Sequence, residues 1–241
     1  MEQHDKRKSL IDEYARNARL KPAFLVILPA SVLIAALGFK LSVALGILAG
    51  PLTAVGFTFL LAEMGRDFGK KKESDLFDLW GGKPSTAKLR HRDASINPHT
   101  RAGYHKTGEK LIGKKLPSVA DEAADPRSAD LLYEAVGDVL RELTRDQKKY
   151  PLIFSELVSY GFRRNLWGMK PIGLTIAIVA VLCQSVMISE QVIAHQPPSA
   201  FMIILLAVNV LMLVLWTAVI TRSWVKTAAD AYADRLLAAA L

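Results

Sequence analysis

A dense group of basic side chains in residues 83–115 is the part of this sequence best suited to chemistry with an anion. The segment carries nine lysines and arginines against two carboxylates, a surplus of seven in a chain whose formal net charge is +8. Guanidinium and ammonium groups hold phosphates and carboxylates through charge-assisted hydrogen bonds. We therefore predict anion binding by six of these residues: Lys83, Lys88, Arg90, Arg92, Arg101 and Lys106. A nucleotide, a nucleic acid, a soluble protein or the anionic face of a lipid bilayer would supply the anion.

The run Gly81-Gly82-Lys83 matches a phosphate-binding loop only in part. In that motif a glycine stands five residues before the Gly-Lys pair, and a hydroxyl side chain follows the lysine. Here the first position is Phe77 and the second is Pro84. We therefore expect a simple turn at this place, with an anion cradle of backbone N–H groups as the alternative.

Three histidines of the same segment are candidates for metal-assisted chemistry. His91, His99 and His105 are spaced by eight and six residues, whereas zinc ligands usually come in closer pairs and are often joined by cysteine. We predict no catalytic residue, no metal ion and no cofactor. A membrane-bound enzyme with a site built from these histidines and Asp93 is kept as a less favoured alternative.

Residues 121–146 reverse the charge and have a helical period. Eight acidic residues stand against three arginines, and Asp125 followed by Pro126 predicts the start of a helix. Five apolar residues fall on one predicted face: Leu132, Val136, Val139, Leu140 and Leu143. Two alternatives remain open: this acidic helix neutralises the basic segment, or the basic segment faces an external anion.

Two long apolar blocks flank this charged middle and must position it. A hydrocarbon core about 30 Å thick is crossed by roughly 20 apolar helical residues, so each block is long enough to cross twice. The predicted spans are Ala23–Phe39, Leu41–Ala62, Ile172–Ser189 and Ala200–Ile220. A re-entrant hairpin is the less favoured alternative for the first pair.

Lysines and arginines concentrate on one side of these spans. Their positions predict that both termini and the central region are cytoplasmic, in the inner (cytoplasmic) membrane. The expected fold class is an all-α multi-pass membrane protein with four spans in two hairpins. The predicted order is a cytosolic amphipathic helix (1–22), a transmembrane hairpin (23–62), a mainly helical and loop-rich cytosolic domain (63–170), a second hairpin (171–221) and a cytosolic C-terminal helix (222–241).

A few small and polar residues inside the apolar blocks are candidates for helix packing or self-association. Gly46 and Gly50 form a GxxxG pattern, which lets two helix backbones approach closely. Gln184 and Asn209 are expected to form hydrogen bonds between helices, either within one subunit or between subunits. No ionisable residue lies deep in a predicted span, which disfavours a proton-coupled carrier.

These observations predict a non-enzymatic inner-membrane protein that forms a homo-oligomer in the lipid bilayer. Its basic cytosolic domain would sense an anionic ligand or partner and alter membrane permeability. Two helix hairpins that frame a cytosolic domain are similar in architecture to bacterial membrane effectors, including those of antiviral defence. The first alternative is a membrane scaffold that anchors a soluble partner, and the second is the His/Asp enzyme described above.

Overall fold

Helices form all of the regular structure in the part of the chain that this computed structural model describes, residues 13–38 and 58–241. The all-α class predicted from the sequence is therefore confirmed for these residues. In chain order they are α1 (Lys21–Gly38), which continues a π-helical segment over Ala15–Leu20, α2 (described over 58–71), α3 (Glu73–Leu79), α4 (Pro84–Leu89), α5 (Pro98–Ile112), α6 (Val119–Ala124), α7 (Pro126–Leu143), α8 (Pro151–Gly168), α9 (Lys170–Ile193), α10 (Ala200–Val214), which continues as a π-helical segment over Leu215–Val219, and α11 (Arg222–Ala238).

Three described helices are long and apolar enough to cross a membrane, over Ala15–Leu37, Lys170–Ile193 and Ala200–Val219. Large apolar side chains such as Ile34 and Leu182 are 67% and 60% exposed on them. Such exposure is costly in water and is expected of helices that face lipid. These helices are consistent with a membrane-embedded protein. The predicted span Leu41–Ala62 lies mostly outside the described residues.

The described chain divides into two compact units. The first, which we name the span unit, falls within Met1–Lys72 and Gly161–Val225. The second, which we name the head unit, comprises Glu73–Tyr160 and Lys226–Leu241. The head unit is thus built from two stretches of chain that the last two candidate spans separate.

Glycines permit the closest helix contact in the span unit. A Cβ atom on Gly168 of α8 would lie 2.5 Å from the backbone nitrogen of Gly69 in α2. A Cβ on Gly65, one helical turn before Gly69, would lie 2.6 Å from the Met169 side chain. This GxxxG pair at Gly65 and Gly69 was not predicted from the sequence, because charged residues lie beside it and the pattern was sought in apolar segments. The predicted pair, Gly46 and Gly50, lies outside the described residues.

A fully buried polar contact joins the candidate spans α9 and α10. Gln184 and Asn209 are both fully buried, and Asn209 Nδ2 donates a hydrogen bond of 2.9 Å to Gln184 Oε1. The remaining Nε2 of Gln184 and Oδ1 of Asn209 have no hydrogen-bond partner within the described residues. Each amide therefore depends on the other for the only hydrogen bond that its side chain makes there.

We expect the Gln184–Asn209 bond to appear as coupling in a double-mutant cycle. Asn209→Leu alone should destabilise the span unit because it leaves the Gln184 amide buried without a partner. Gln184→Leu/Asn209→Leu should be closer to the parent, with a coupling energy of about 0.6–1.7 kcal/mol. Denaturant titration of the full chain in detergent, followed by tryptophan fluorescence, measures the cycle. Additive single effects would contradict the prediction.

The head unit is organised around α7. Its buried Tyr133, Val136 and Leu140 pack with Leu236 and Leu237 of α11 in one apolar core. The predicted face was right at Val136 and Leu140 but wrong at its end, because Leu143 is 54% exposed. The buried face of α7 includes Tyr133 instead. The sequence pattern omitted this residue because it counted aliphatic side chains and Tyr133 carries a polar hydroxyl.

The predicted start of α7 is confirmed. Asp125 is its N-cap residue, and its side chain accepts the backbone N–H of Ser128 at 3.0 Å. Pro126 occupies the first turn, where its missing N–H needs no partner. The start of α7 could therefore be predicted from its capping residues alone, without knowledge of tertiary contacts.

The glycines and prolines of residues 83–115 predict a loop-rich segment, but this prediction is largely wrong because α4 and α5 occupy much of the segment. Pro98 opens α5 instead of breaking it, and the Asn97 side chain caps the same turn. A Cβ on Gly108 would lie 3.0 Å from Cγ2 of Val136. That glycine is therefore explained by the close approach of α5 to α7, and not by a turn.

Candidate functional site

Glu122 is the centre of the polar cluster in the head unit. It lies in the short helix α6 with 3% of its surface exposed. Its carboxylate accepts the backbone N–H of His91 at 2.7 Å, the Tyr133 hydroxyl at 2.8 Å and Nη1 of Arg92 at 2.8 Å. A fourth bond, from the backbone N–H of Arg92, is 3.2 Å long. Burial raises the pKa of Glu122, but these bonds outweigh it and hold the pKa below its ordinary value.

The arginines predicted to bind an anion are paired with this acidic side of the same unit. Arg90 makes a two-pronged bond to Asp130, with Nε–Oδ1 and Nη2–Oδ2 distances of 2.8 Å each. Arg92 bridges Glu122 and Asp130, the latter with an Nη2–Oδ1 distance of 3.2 Å. This fork geometry is the one in which guanidinium groups bind carboxylates best. The acidic helices therefore supply the anions that these two arginines contact.

Arg101 has a different and internal role. Only 7% of its surface is exposed, and its guanidinium donates to the backbone carbonyls of Arg90, His91 and Ile96 at 2.6–2.9 Å. It therefore holds the chain between α4 and α5 in place. A buried guanidinium used in this way offers little surface to an external ligand.

The predicted lysines divide into paired and unpaired residues. Lys83 forms an ion pair of 3.4 Å with Glu134, and Lys88 one of 2.6 Å with Asp234. Lys106 is exposed, and no ion pair forms at it in the described part of the chain. Three further exposed lysines at the C-terminal end of α5 and just beyond it share this property, and with Lys106 they form what we name the lysine face: Lys106, Lys110, Lys114 and Lys115.

The geometry of α5 explains why the lysine face stays unpaired. Lys106 and Lys110 lie one turn apart on the helix, and Lys114 and Lys115 follow its left-handed cap at Gly113. Cations near a helix C-terminus are stabilised by the helix dipole. The nearby carboxylate of Glu109 turns inward, because its Oε1 accepts the backbone N–H of Leu116 at 3.0 Å.

The Gly81-Gly82 run is a helix-ending turn. Gly81 has a φ of +75°, and its N–H donates to the carbonyl of Asp78 at 3.2 Å. The N–H of Gly82 donates to the carbonyl of Phe77 at 2.7 Å, as in a Schellman cap of α3. Both donors are thus used inside the chain, which removes the main components of the anion cradle considered from the sequence. A cavity of about 150 Å³ near Gly82 is smaller than most ligand pockets, which are roughly 300 Å³ or more.

His91 and His105 lie together but serve the backbone. Their ring centroids are 4.8 Å apart in an edge-to-face arrangement. Nε2 of His91 lies 2.9 Å from the carbonyl oxygen of Pro117, and Nε2 of His105 lies 2.6 Å from that of Leu89. Within the described residues, no three His, Cys, Asp or Glu side chains are grouped to hold a metal ion.

The stability of the head unit should fall on acidification through His105. Burial lowers the pKa of His105, the bond to the Leu89 carbonyl opposes this, and His91 and Arg101 lower the pKa further. The folded unit therefore favours the neutral ring. Its contribution to stability is complete above pH 6.5, the ordinary pKa, and is lost as the pH falls through the lowered value.

His105→Gln should remove that part of the pH dependence, whereas His99→Gln at an exposed position should retain it. Urea denaturation of the full chain in non-ionic detergent between about pH 7 and 5 measures the effect. Near-UV circular dichroism is a suitable signal, because five of the six tyrosines lie in the head unit. A His105→Gln protein with the parent's dependence on pH would contradict the assignment.

The formal charges of the two units differ. The head unit carries sixteen lysines and arginines and sixteen carboxylates, so its net charge is zero with neutral histidines. The segments of the span unit carry fifteen against seven, which is the whole surplus of eight. The surplus in residues 83–115 is therefore balanced by other residues of the same folded unit.

The contacts favour internal neutralisation for Arg90 and Arg92 and a structural role for Arg101, and they leave the lysine face among the exposed cations of the head unit. Anion binding by the six predicted residues stays a prediction. Among them, Lys106 alone belongs to the lysine face. No protein-family model matches the chain, and neither a curated protein nor a solved structure proved similar to it.

Proposed function

We propose that the protein is a non-enzymatic membrane scaffold, which holds an acidic soluble partner beside the bilayer through the lysine face. The observation that carries this proposal is the division of cations in the head unit. Arg90, Arg92 and Arg101 contact carboxylates or backbone carbonyls of the same unit, while Lys106, Lys110, Lys114 and Lys115 are exposed and form no ion pair within the described residues. Exposed like charges cost little in water and give an acidic partner both attraction and orientation.

The distribution of lysine and arginine beside the spans supports a side of the membrane. These residues concentrate next to the span ends that lead to the head unit, whereas residues 194–199 between α9 and α10 carry none. We therefore assign the head unit to the cytoplasmic side of the inner membrane. The described spans support an anchoring role, because the buried side-chain pair between α9 and α10, Gln184 and Asn209, is neutral and no described Asp, Glu, Lys, Arg or His lies at mid-depth.

This proposal favours the scaffold over the anion-gated effector, although the two share a basic surface. An effector must couple ligand binding to a change in permeability, which needs a ligand pocket and polar groups along the spans. A scaffold needs a folded, exposed docking surface and an anchor. The described residues supply a docking surface and an anchor more fully than a ligand pocket and polar groups along the spans.

The experiment compares two variants that change the formal charge equally. Lys106→Glu/Lys110→Glu/Lys114→Glu reverses three of the four cations of the lysine face, and Arg127→Glu/Lys148→Glu/Lys149→Glu reverses three exposed cations elsewhere in the head unit. Proteins crosslinked to the parent in cells are identified after purification in detergent. A partner captured by the parent and the second variant, but reduced about tenfold or more with the first, is expected.

Two results would overturn the scaffold. Equal capture by both variants would remove the lysine face from the interface. Nucleotide-dependent conductance of the purified parent in a planar bilayer would restore the effector hypothesis. Particle mass and absorbance at 260 nm, recorded on the same chromatographic peak, test for a homo-oligomer and for bound nucleic acid.

A further inference from the structure

Three cations meet at one aromatic ring of the span unit. Nζ of Lys72 and Nζ of Lys170 lie 5.7 Å and 5.3 Å from the ring centroid of Trp167, and Cζ of Arg222 lies 5.9 Å from it. These distances are in the range of cation–π interactions. The indole ring therefore gathers three positive charges, which repel one another unless a negative group joins them.

Described carboxylates do not neutralise this cluster. None of the three cations forms an ion pair within the described part of the chain. Glu63 is paired with Arg19 and Arg66 instead. Lys170 donates to the carbonyl oxygen of Ile220 at 2.6 Å, but a carbonyl carries no net charge. The described residues therefore place three cations at this ring and no carboxylate in contact with them.

An apolar cavity of about 220 Å³ adjoins the cluster in the same unit. Ile220 joins the two features, because its carbonyl accepts the Lys170 ammonium while its side chain lines the cavity. Leu166, the residue before Trp167, lines it as well. The other lining side chains are also hydrophobic or aromatic, among them Leu25, Met212 and Trp216. A ligand that fills both features must be anionic at one end and apolar at the other.

We propose that the cluster and the cavity together bind one anionic phospholipid. Its phosphate lies among Lys72, Lys170 and Arg222, and part of an acyl chain enters the cavity. Inorganic phosphate would leave the cavity empty, and a zwitterionic lipid would leave the three cations without net neutralisation. Tryptophan and basic residues at span ends lie at the depth of lipid headgroups, where such a ligand is abundant. The proposal does not depend on the scaffold function.

The test is a lipid titration of the full chain in non-ionic detergent, followed by native mass spectrometry. The parent should bind one dioleoyl phosphatidylglycerol saturably and bind dioleoyl phosphatidylcholine at least about tenfold more weakly. Lys72→Gln/Arg222→Gln should weaken phosphatidylglycerol binding about tenfold or more. Arg66→Gln/Lys70→Gln, which also removes one lysine and one arginine beside a span, should stay within about twofold of the parent.

Equal losses in the two double variants would overturn the site in favour of diffuse attraction to a basic surface. Equal binding of the two lipids by the parent would overturn it as well, and that comparison needs no variant to fold. Val219→Phe at the half-exposed rim of the cavity should also weaken binding of the two-chain lipid.

Glycerol 3-phosphate distinguishes a lipid from a free phosphate compound. It should fail to displace phosphatidylglycerol at concentrations at which the lipid itself saturates, because it has no acyl chain for the cavity. Displacement at equal concentration would overturn the lipid assignment and leave a site for soluble phosphates.

Discussion

Alanine in place of Glu122 is expected to reduce the free energy of unfolding of the head unit by about 3–5 kcal/mol. The substitution removes the acceptor of four hydrogen bonds in one step. The Tyr133 hydroxyl lies in the apolar core, where the side chain is fully buried, so it keeps no alternative partner. Arg92 would retain Asp130, which limits the loss on that side of the cluster.

Glutamine at the same position separates charge from shape. Glu122→Gln keeps one acceptor oxygen but loses the charge that strengthens all four bonds, so an intermediate loss is expected. It should also remove the loss of stability at acidic pH that protonation of the Glu122 carboxylate causes. Because the pKa of this carboxyl is lowered in the folded unit, its stabilisation is present above about pH 4.5 and is lost as the pH falls through the lowered value.

Hydrogen exchange of backbone amides in α7, measured on the full chain in detergent, reports the stability of the head unit separately from that of the span unit. Glu142→Ala is the matched control, since its carboxylate is 69% exposed in a surface pair with Arg145. It should change the free energy by no more than about 0.5 kcal/mol. If the α7 amides of the Glu122→Ala protein were as well protected from hydrogen exchange as those of the control, the cluster would not be essential to the fold.

Alanine in place of Gly168 is expected to destabilise the span unit by roughly 3 kcal/mol, at the upper end of the usual cost of overpacking. The added Cβ would meet the backbone of α2 at Gly69 N, at Gly69 Cα and at the carbonyl carbon of Phe68, 2.5–2.8 Å away. Backbone atoms cannot rotate aside as a side chain can. The two helices would have to separate, which would also loosen the contacts around Met169.

A graded series makes this prediction sharper. Gly65→Ala meets mainly the flexible Met169 side chain, so its effect should be smaller than that of Gly168→Ala. Gly137→Ala in α7 meets nothing closer than 3.4 Å and should be neutral or stabilising by up to about 1 kcal/mol. Thermal unfolding followed by tryptophan fluorescence suits the two span-unit variants, because that unit holds three of the four tryptophans, and hydrogen exchange of the α7 amides suits Gly137→Ala in the head unit. A Gly168→Ala protein that melts with the parent would refute the close crossing.

The sequence predicted the features that depend on neighbours along the chain. Apolar length identified the spans that the described residues contain, and Asp125 with Pro126 identified the start of α7. The loops expected around Pro98 and Gly108 were wrong for a physical reason. Proline is tolerated in a first helical turn, and glycine is tolerated where a second helix packs against it. One segment of sequence alone shows neither that a proline stands in a first helical turn nor that a second helix packs against a glycine.

The candidate site was less accessible to sequence reasoning. Arg90 and its partner Asp130 are 40 residues apart, and Arg92 and Glu122 are 30 apart. A local count of charge records such arginines as a surplus, because it cannot include partners from another helix. The signal that separates the lysine face was present in the spacing of Lys106 and Lys110, which one helix places on one side.

The two-part construction of the head unit also sets an order of events during synthesis. Leu236 and Leu237, which complete the core around Tyr133, follow the last two candidate spans in the chain. Both candidate spans are therefore synthesised before the core can close. Until then the apolar side of α7 lacks its cover, so nascent chains that end at Val225 should be sensitive to protease and dependent on chaperones. The order of the chain thus places completion of the head-unit core after synthesis of the last two candidate spans.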